Sequence, residues 1–292
     1  MSLVLVTNRY RDPIDLPHRI RYGKVTPRSV RDVDAIVSLL YDRIDAKIFA
    51  AARKLRVVAN VAAGHENIDL EAARARGVYV TNVPGVTTEA TADLAWGLIL
   101  ATARRIVEAD RWVRAGKFRR WDFHLLLGTD LAGKTLGVIG PGKIGRAVAT
   151  RAMGFRMRVL FAGRFRADLE RVLRESDVVT LHCPLTSETR RLLGKRELEM
   201  MKPTAILVNT ARGSIVDEGA LVEALRRKRL AGAGLDVYEN EPRIHPGLLR
   251  LSNVVLLPHI GSATRETRAR MLATAVRNVR EALAGRVPPN RV

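Results

Sequence analysis

The chain has 292 residues, 47% of them hydrophobic, which is enough for two ordinary domains with apolar cores and too evenly apolar for a disordered segment. Its formal charge is +20, from fifty basic against thirty acidic residues, and only nine of the basic residues are lysine. The arginines are spread in short groups such as Arg226-Arg227-Lys228-Arg229, the pattern of a solvated or subunit-facing surface rather than of a nucleic-acid-binding tract. The single cysteine, Cys183, excludes internal disulfides, and the absence of a signal peptide or a membrane-length apolar window leads to the expectation of a soluble, cytoplasmic protein.

In chain order, apolar β-branched runs predict strands at Leu3–Thr7, Ala35–Leu39, Val57–Val61 and Val78–Thr81, then Leu136–Ile139, Arg158–Ala162 and Val178–His182. Three more follow at Ala205–Asn209, Gly232–Asp236 and Val254–Leu257. Helical patterns lie between them, among them Asp45–Lys54, Lys143–Met153, Glu218–Lys228 and Ala263–Leu283. The segment from Pro13 to Pro27 is too short and proline-rich for a full helix. A single long helix is expected from Thr88 to Ala115, with small residues on one face, and a basic, aromatic loop follows from Gly116 to Gly128. Continuous apolar strands separated by helices call for α/β domains with doubly wound parallel sheets. The expected division is a first domain of residues 1–88 completed by 263–292, and an inserted domain of residues 89–262.

The stretch Leu136-Gly-Val-Ile-Gly140-Pro141-Gly142-Lys143-Ile144-Gly145 is a strand entering a helix through G-x-G-x-x-G. Its glycines allow a tight turn, close approach of backbone to a pyrophosphate, and close helix–strand packing. On the next strand, where an NAD site places an acid for the ribose 2′-hydroxyl, the chain reads Ala162-Gly163-Arg164-Phe165-Arg166. Two guanidinium groups and no carboxylate favour NADP(H), with NAD(H) still admissible.

Three strand-end loops carry ionisable groups: Asn209-Thr210-Ala211-Arg212-Gly213, Asp236-Val-Tyr-Glu-Asn-Glu241-Pro242 and Pro258-His259-Ile-Gly261-Ser262. Reduction of a 2-keto acid needs a cation for the carboxylate and carbonyl oxygen, a proton donor, and a group that keeps the donor protonated. Arg212, His259 and Glu241 supply these in turn.

These three motifs resemble those of the D-isomer-specific 2-hydroxyacid dehydrogenases, as do the Gly140–Gly145 turn, Ser176-Asp-Val-Val-Thr-Leu-His-Cys-Pro184 and Gly64-x-x-Asn67-Ile-Asp69, so the resemblance covers nearly the whole chain. It implies a Rossmann-like cofactor domain inserted into a flavodoxin-like substrate domain. It also implies Arg212 as substrate binder, His259 as general acid/base and Glu241 as its partner. Backbone N–H groups near Ala63 and Gly64 would hold the substrate carboxylate, and Asp236 the nicotinamide carboxamide. Thr88, Pro184, Thr210, Ala211 and Gly261 fall at cofactor-contact positions, and a homodimer built through the long helix is implied. Within the family the chain looks most like glyoxylate/hydroxypyruvate reductases: Trp121 lies on a loop similar to their tryptophan-bearing one, and Leu39 or Leu40 stands where a substrate-facing apolar wall belongs. Dehydrogenases of phosphoglycerate or lactate, and dinucleotide-sensing regulators on the same fold, are the alternatives.

Beside the short Pro13–Pro27 segment, one departure from the family pattern stands out. Only fifteen residues, Gly163 to Asp177, link the second cofactor-domain strand to Val178, room for one short helix at Ala167–Glu175 and no strand, so the outer strand is expected to be missing. His182 and Cys183 read as packing groups, and His18, His65, His124 and His245 show no metal-ligand spacing, so no metal is assigned.

Overall fold

In the computed structural model, which describes residues 1–10, 13–163 and 165–292, the alternation of apolar runs and helical stretches becomes an α/β fold of two compact units. Unit 1 comprises Met1–Thr87 and Ser262–Val292, and unit 2 comprises Thr88–Gly261. The first stretch of chain forms β1 (Leu3–Val6), β2 (Arg19–Tyr22), β3 (Ala35–Ser38), α1 (Ala46–Ala51), β4 (Val57–Asn60), α2 (Leu70–Ala75) and β5 (Tyr79–Thr81). Next come α3 (Thr88–Ala103), α4 (Ile106–Arg114), β6 (Thr135–Ile139), α5 (Lys143–Ala152), β7 (Arg158–Ala162), α6 (Arg166–Glu175) and β8 (Val178–Leu181). The chain ends with α7 (Lys195–Met200), β9 (Ile206–Asn209), α8 (Glu218–Arg226), β10 (Gly232–Leu235), α9 (Pro246–Leu249), β11 (Val254–Leu256) and α10 (Arg265–Leu283).

In unit 1 the sheet runs β2-β1-β3-β4-β5, all parallel, the strand order of flavodoxin-like folds. β3 and β4 are buried along their whole length, because helices cover both faces and a parallel sheet so covered has no solvated side. One face packs on α10 through Met271, Ala275 and Val279, the other on α1 through Ile48 and Phe49. The end of α10 is tied down by Arg56, whose guanidinium donates to the Leu283 and Ala282 carbonyls at 2.9 and 2.8 Å. β2 has no counterpart among the strands expected from sequence. Its Arg-Ile-Arg-Tyr alternation is that of a half-exposed edge strand, where charge guards against unwanted pairing.

Unit 2 has the order β11-β10-β9-β8-β6-β7, again all parallel. Among the described residues α6 is the sole element between β7 and β8, so β7 is the sheet edge and the expected outer strand is indeed missing. The crossover spans two strand positions, about 10 Å, which so short a segment can cover. Leu136, Leu173, Leu181 and Leu207 are fully buried about this sheet, each contributing about 1.5–3 kcal/mol of transfer free energy.

The long helix expected at 88–115 is in fact two. Arg105 sits at φ +52, a left-handed conformation that a non-glycine residue adopts at a cost of about 1–2 kcal/mol, and it separates α3 from α4. The Arg105 guanidinium then grips Glu108 through two bonds of 2.9 Å, fixing the start of α4. The small-residue helix α3 packs closely on α5: the Trp96 indole N–H donates to the Val148 carbonyl at 3.0 Å, and its ring stacks on Phe155 at 4.2 Å.

Candidate active site

The chain reverses direction about unit 2's sheet between β6 and β8, and an open parallel sheet has its ligand crevice at the carboxyl ends of such strands. The turn after β6 carries Gly140 at φ +92, and a Cβ there would stand 2.5 Å from the Cys183 nitrogen. Gly145 packs against the Gly140 carbonyl. Gly142, by contrast, faces open space, and as N-cap of α5 it leaves the first amides of Lys143, Ile144 and Gly145 without a side-chain acceptor. Helix N–H donors beside a turn flanked by Gly140 and Gly142 fit a pyrophosphate. Gly140, Pro141, Gly142, Gly163, Arg166 and Pro184 share one cavity of about 890 Å³ with Phe165 and His182. A dinucleotide's adenosine half fits this lining.

The 2′-phosphate prediction meets two facts. Arg164 lies outside the described residues. Arg166 lines the cavity, but its guanidinium is 3.2 Å from a Glu197 oxygen and 3.6 Å from one of Glu170, so a phosphate would have to compete with two carboxylates. No acid stands in the sequence at the end of β7. His182 and Cys183 follow β8. Burial pushes the imidazole down to about 4 and the thiol up to about 11, and His182 Nε2 lies 2.9 Å from the Thr180 hydroxyl.

At the ends of β9, β10 and β11 the three motif loops are knitted into one structure. Buried Asn209 shapes the first: its side-chain N–H donates to the Arg212 carbonyl and its Oδ1 accepts the Ala211 N–H, both at 3.0 Å. Thr210 and Ala211 occupy this turn, and Arg212 follows it with its Nη1 donating to the Ala211 carbonyl at 2.8 Å. Gly213 then lies against Tyr238, so tightly that a Cβ would come within 1.8 Å of the Tyr238 carbonyl carbon. The first and second loops therefore touch through backbone.

The second loop carries Glu241. One of its carboxylate oxygens accepts the Tyr238 N–H at 2.9 Å, and the other is 2.8 Å from His259 Nδ1. His259 and Glu241 are largely buried, with side-chain exposures of 21% and 16%. The carboxylate on Nδ1 fixes the orientation of the imidazole ring. The third loop hangs on Asp236, which is 1% exposed. Its carbonyl accepts the His259 N–H at 2.9 Å and its carboxylate accepts the Ile260 and Gly261 N–H groups at 2.7 and 2.8 Å. Those bonds hold His259 at φ +55. Burial raises the Asp236 carboxyl above the usual range, against the pull of the two amides.

In unit 1, Leu40 lies just beyond β3 and is half-buried, and Ala63 and Gly64 lie beyond β4. Asn60 organises this end of the sheet. Its side chain accepts from the Ser38 hydroxyl and donates to the Gly64 carbonyl and to Asn67, which reaches Leu39 and Asp42 in turn. Asp69 of the same motif is the N-cap of α2, accepting from Ala72 at 2.9 Å. Thr88 opens α3, and Trp121 is 74% exposed beside Phe123. Asn60, Asn209 and Tyr238 escaped sequence reasoning as organisers of the loops. An asparagine one residue past a run of buried aliphatics was the available signal for the first two. Among the described residues no cluster of three or more His, Cys, Asp or Glu could hold a metal ion.

Comparison with known proteins agrees with this geometry. The family model described as D-isomer specific 2-hydroxyacid dehydrogenase, NAD binding domain, matches residues 96–261. A glyoxylate reductase from Thermococcus litoralis is 47% identical over 299 residues, covering 97% of this chain and 89% of that protein. A solved structure from Thermus thermophilus superposes with a TM-score of 0.94 at 46% identity, covering 99% of each chain. An NADPH-dependent glyoxylate/hydroxypyruvate reductase from Sinorhizobium meliloti, solved with NADP and malonate, gives 0.91 at 33% identity, covering 100% of this chain and 96% of that one. The chain therefore belongs to the D-isomer specific 2-hydroxyacid dehydrogenase family and is an oxidoreductase with an NAD-binding domain.

Proposed function

We propose that the chain reduces a small 2-keto acid, glyoxylate or hydroxypyruvate, to the D-2-hydroxy acid with NADPH as the preferred reductant. The observation that carries the proposal is the 2.8 Å contact between His259 Nδ1 and the Glu241 carboxylate, on a unit whose glycine turn fits a dinucleotide. The glyoxylate reductases similar to this chain supply the substrate class. The missing acid after β7, with Arg164 and Arg166 in its place, supports NADPH.

A nicotinamide, when bound, would supply the hydride for the substrate's carbonyl carbon. Arg212 holds the substrate through carboxylate and carbonyl oxygen and draws charge onto that oxygen as it becomes an alkoxide. Protonated His259 delivers its Nε2 proton to the alkoxide, and Glu241 on Nδ1 favours the imidazolium and fixes the ring. Asp236, Thr88, Thr210, Ala211, Pro184 and Gly261 are assigned to the cofactor by the same reading, and Leu40, Ala63, Gly64 and Trp121 to the substrate. The exposed Phe118, Trp121, Phe123 and Leu127 support pairing with a second copy of the chain, and a cytoplasmic location suits the single reduced cysteine.

Replacement tests the roles. His259→Asn should lower kcat for glyoxylate reduction by about 100-fold or more, and Arg212→Ala should abolish measurable turnover. In both variants NADPH affinity, read by calorimetry, should stay within about threefold of wild type. Retained turnover in His259→Asn would remove the assignment.

A further inference from the structure

Glu218 is a carboxylate that the proposed mechanism does not use. It is the first residue of α8, and only 5% of it is exposed. Among the described residues it has no ion pair. Leaving a carboxylate buried without a cation is costly, so its contacts matter. It accepts the Glu239 N–H at 2.6 Å, which places it against the loop that carries Glu241.

That loop is held from several sides. The Tyr238 backbone is pinned on Gly213, the Tyr238 hydroxyl donates to the Leu257 carbonyl at 2.8 Å, and the Glu239 side chain reaches Arg191 at 3.0 Å. The Glu218 bond acts on the peptide joining Tyr238 to Glu239, one atom group away from the Tyr238 N–H that orients Glu241. Like the Glu241 bond to the Tyr238 N–H, it is made by a buried carboxylate to a backbone donor, a bond about twice as strong as a neutral one. The titratable groups facing Glu218 include Glu239, Glu241 and His245, and those facing the His259 ring include Glu241 and Asp236. Burial, reinforced by the charges of Glu239 and Glu241, raises the Glu218 carboxyl above the usual range.

We infer that Glu218 is a positioning residue for the proton-donor pair: by fixing the Glu239 peptide it holds the Glu241 carboxylate on His259 Nδ1. The inference rests on the Glu241–His259 reading above. When the Glu218 tie is lost, Glu241 spends less time on the ring, the imidazolium is less favoured, and His259 gives up its proton at lower pH.

The test is the titration of His259 in the free protein, followed by NMR, beside the basic limb of the pH profile for glyoxylate reduction. Glu218→Leu, which fills the space without an acceptor, should move both down by about one pH unit, a change of about 1.4 kcal/mol. Glu218→Asp, which shortens the reach, should move them part of the way and serves if the leucine variant fails to fold. Glu218→Gln keeps an acceptor oxygen and should restore both to near wild type. Glu241→Gln is the reference and should move both further than any Glu218 variant. If Glu241→Gln shifts the titration while folded Glu218→Leu or Glu218→Asp does not, the Glu218 inference is overturned and the pair stands. Should Glu241→Gln itself leave His259 unmoved, the underlying reading falls and takes this one with it.

Discussion

At the scale of single residues, the environment of each ionisable group decides what it can do. His259 meets a carboxylate at 2.8 Å, whereas His182, one residue beyond β8, meets the Thr180 hydroxyl and is pushed down to about 4 by burial. The sign of its effect on stability follows from linkage. An unfolded histidine takes up its proton near pH 6.5, and His182 in the folded chain does not until about pH 4, so between those values the unfolded state binds more protons and stability falls as pH falls. The loss should reach roughly 2–3 kcal/mol by pH 4. His182→Gln, which cannot titrate, should flatten the dependence of the urea midpoint on pH between 6.5 and 4. An unchanged slope would show that other groups govern it.

At the scale of elements, what positions the site is contact between loops that follow different strands. The 212–213 turn and the 238–241 loop are in backbone contact at Gly213, where no side chain fits. Gly213→Ala must force Tyr238 away, which should destabilise the protein by about 2 kcal/mol or more and reduce kcat, because Tyr238 N–H holds Glu241. Melting temperature and kcat measured on the same preparation check this; a fully active, equally stable variant would contradict it. Much of this level was legible in the sequence. Ten strands announced themselves as apolar runs, and the fifteen-residue link after β7 revealed the missing outer strand by its length alone. Two elements were not legible. β2 is an Arg-Ile-Arg-Tyr edge whose partners, not its own residues, make it a strand. The break at Arg105 needs a left-handed conformation that nothing in an arginine's propensity foretells. The residues proposed to carry chemistry were named from their motifs, but Asn60, Asn209 and Tyr238, whose side chains bond largely to backbone groups of the loops, leave little trace in a pattern of residue types.

At the scale of the whole molecule, the +20 charge is dispersed rather than focused. Arg151 bridges Glu89 and Asp93, Arg226 and Arg227 share Glu223, and Arg286 pairs with Glu281. Single exposed pairs of this kind contribute about 0–1 kcal/mol each, and their value lies in numbers at high temperature. No helix among the described residues is long and apolar enough to cross a membrane. What sets this chain's chemistry is therefore local to its strand ends, and its most direct test is steady-state reduction of glyoxylate with each reduced nicotinamide in turn. Turnover is expected with both, with a kcat/KM at least about tenfold higher for NADPH, the value of one charge-assisted contact to the 2′-phosphate. Equal or better use of NADH would contradict the cofactor assignment, and no glyoxylate-dependent oxidation of either would contradict the proposed reaction.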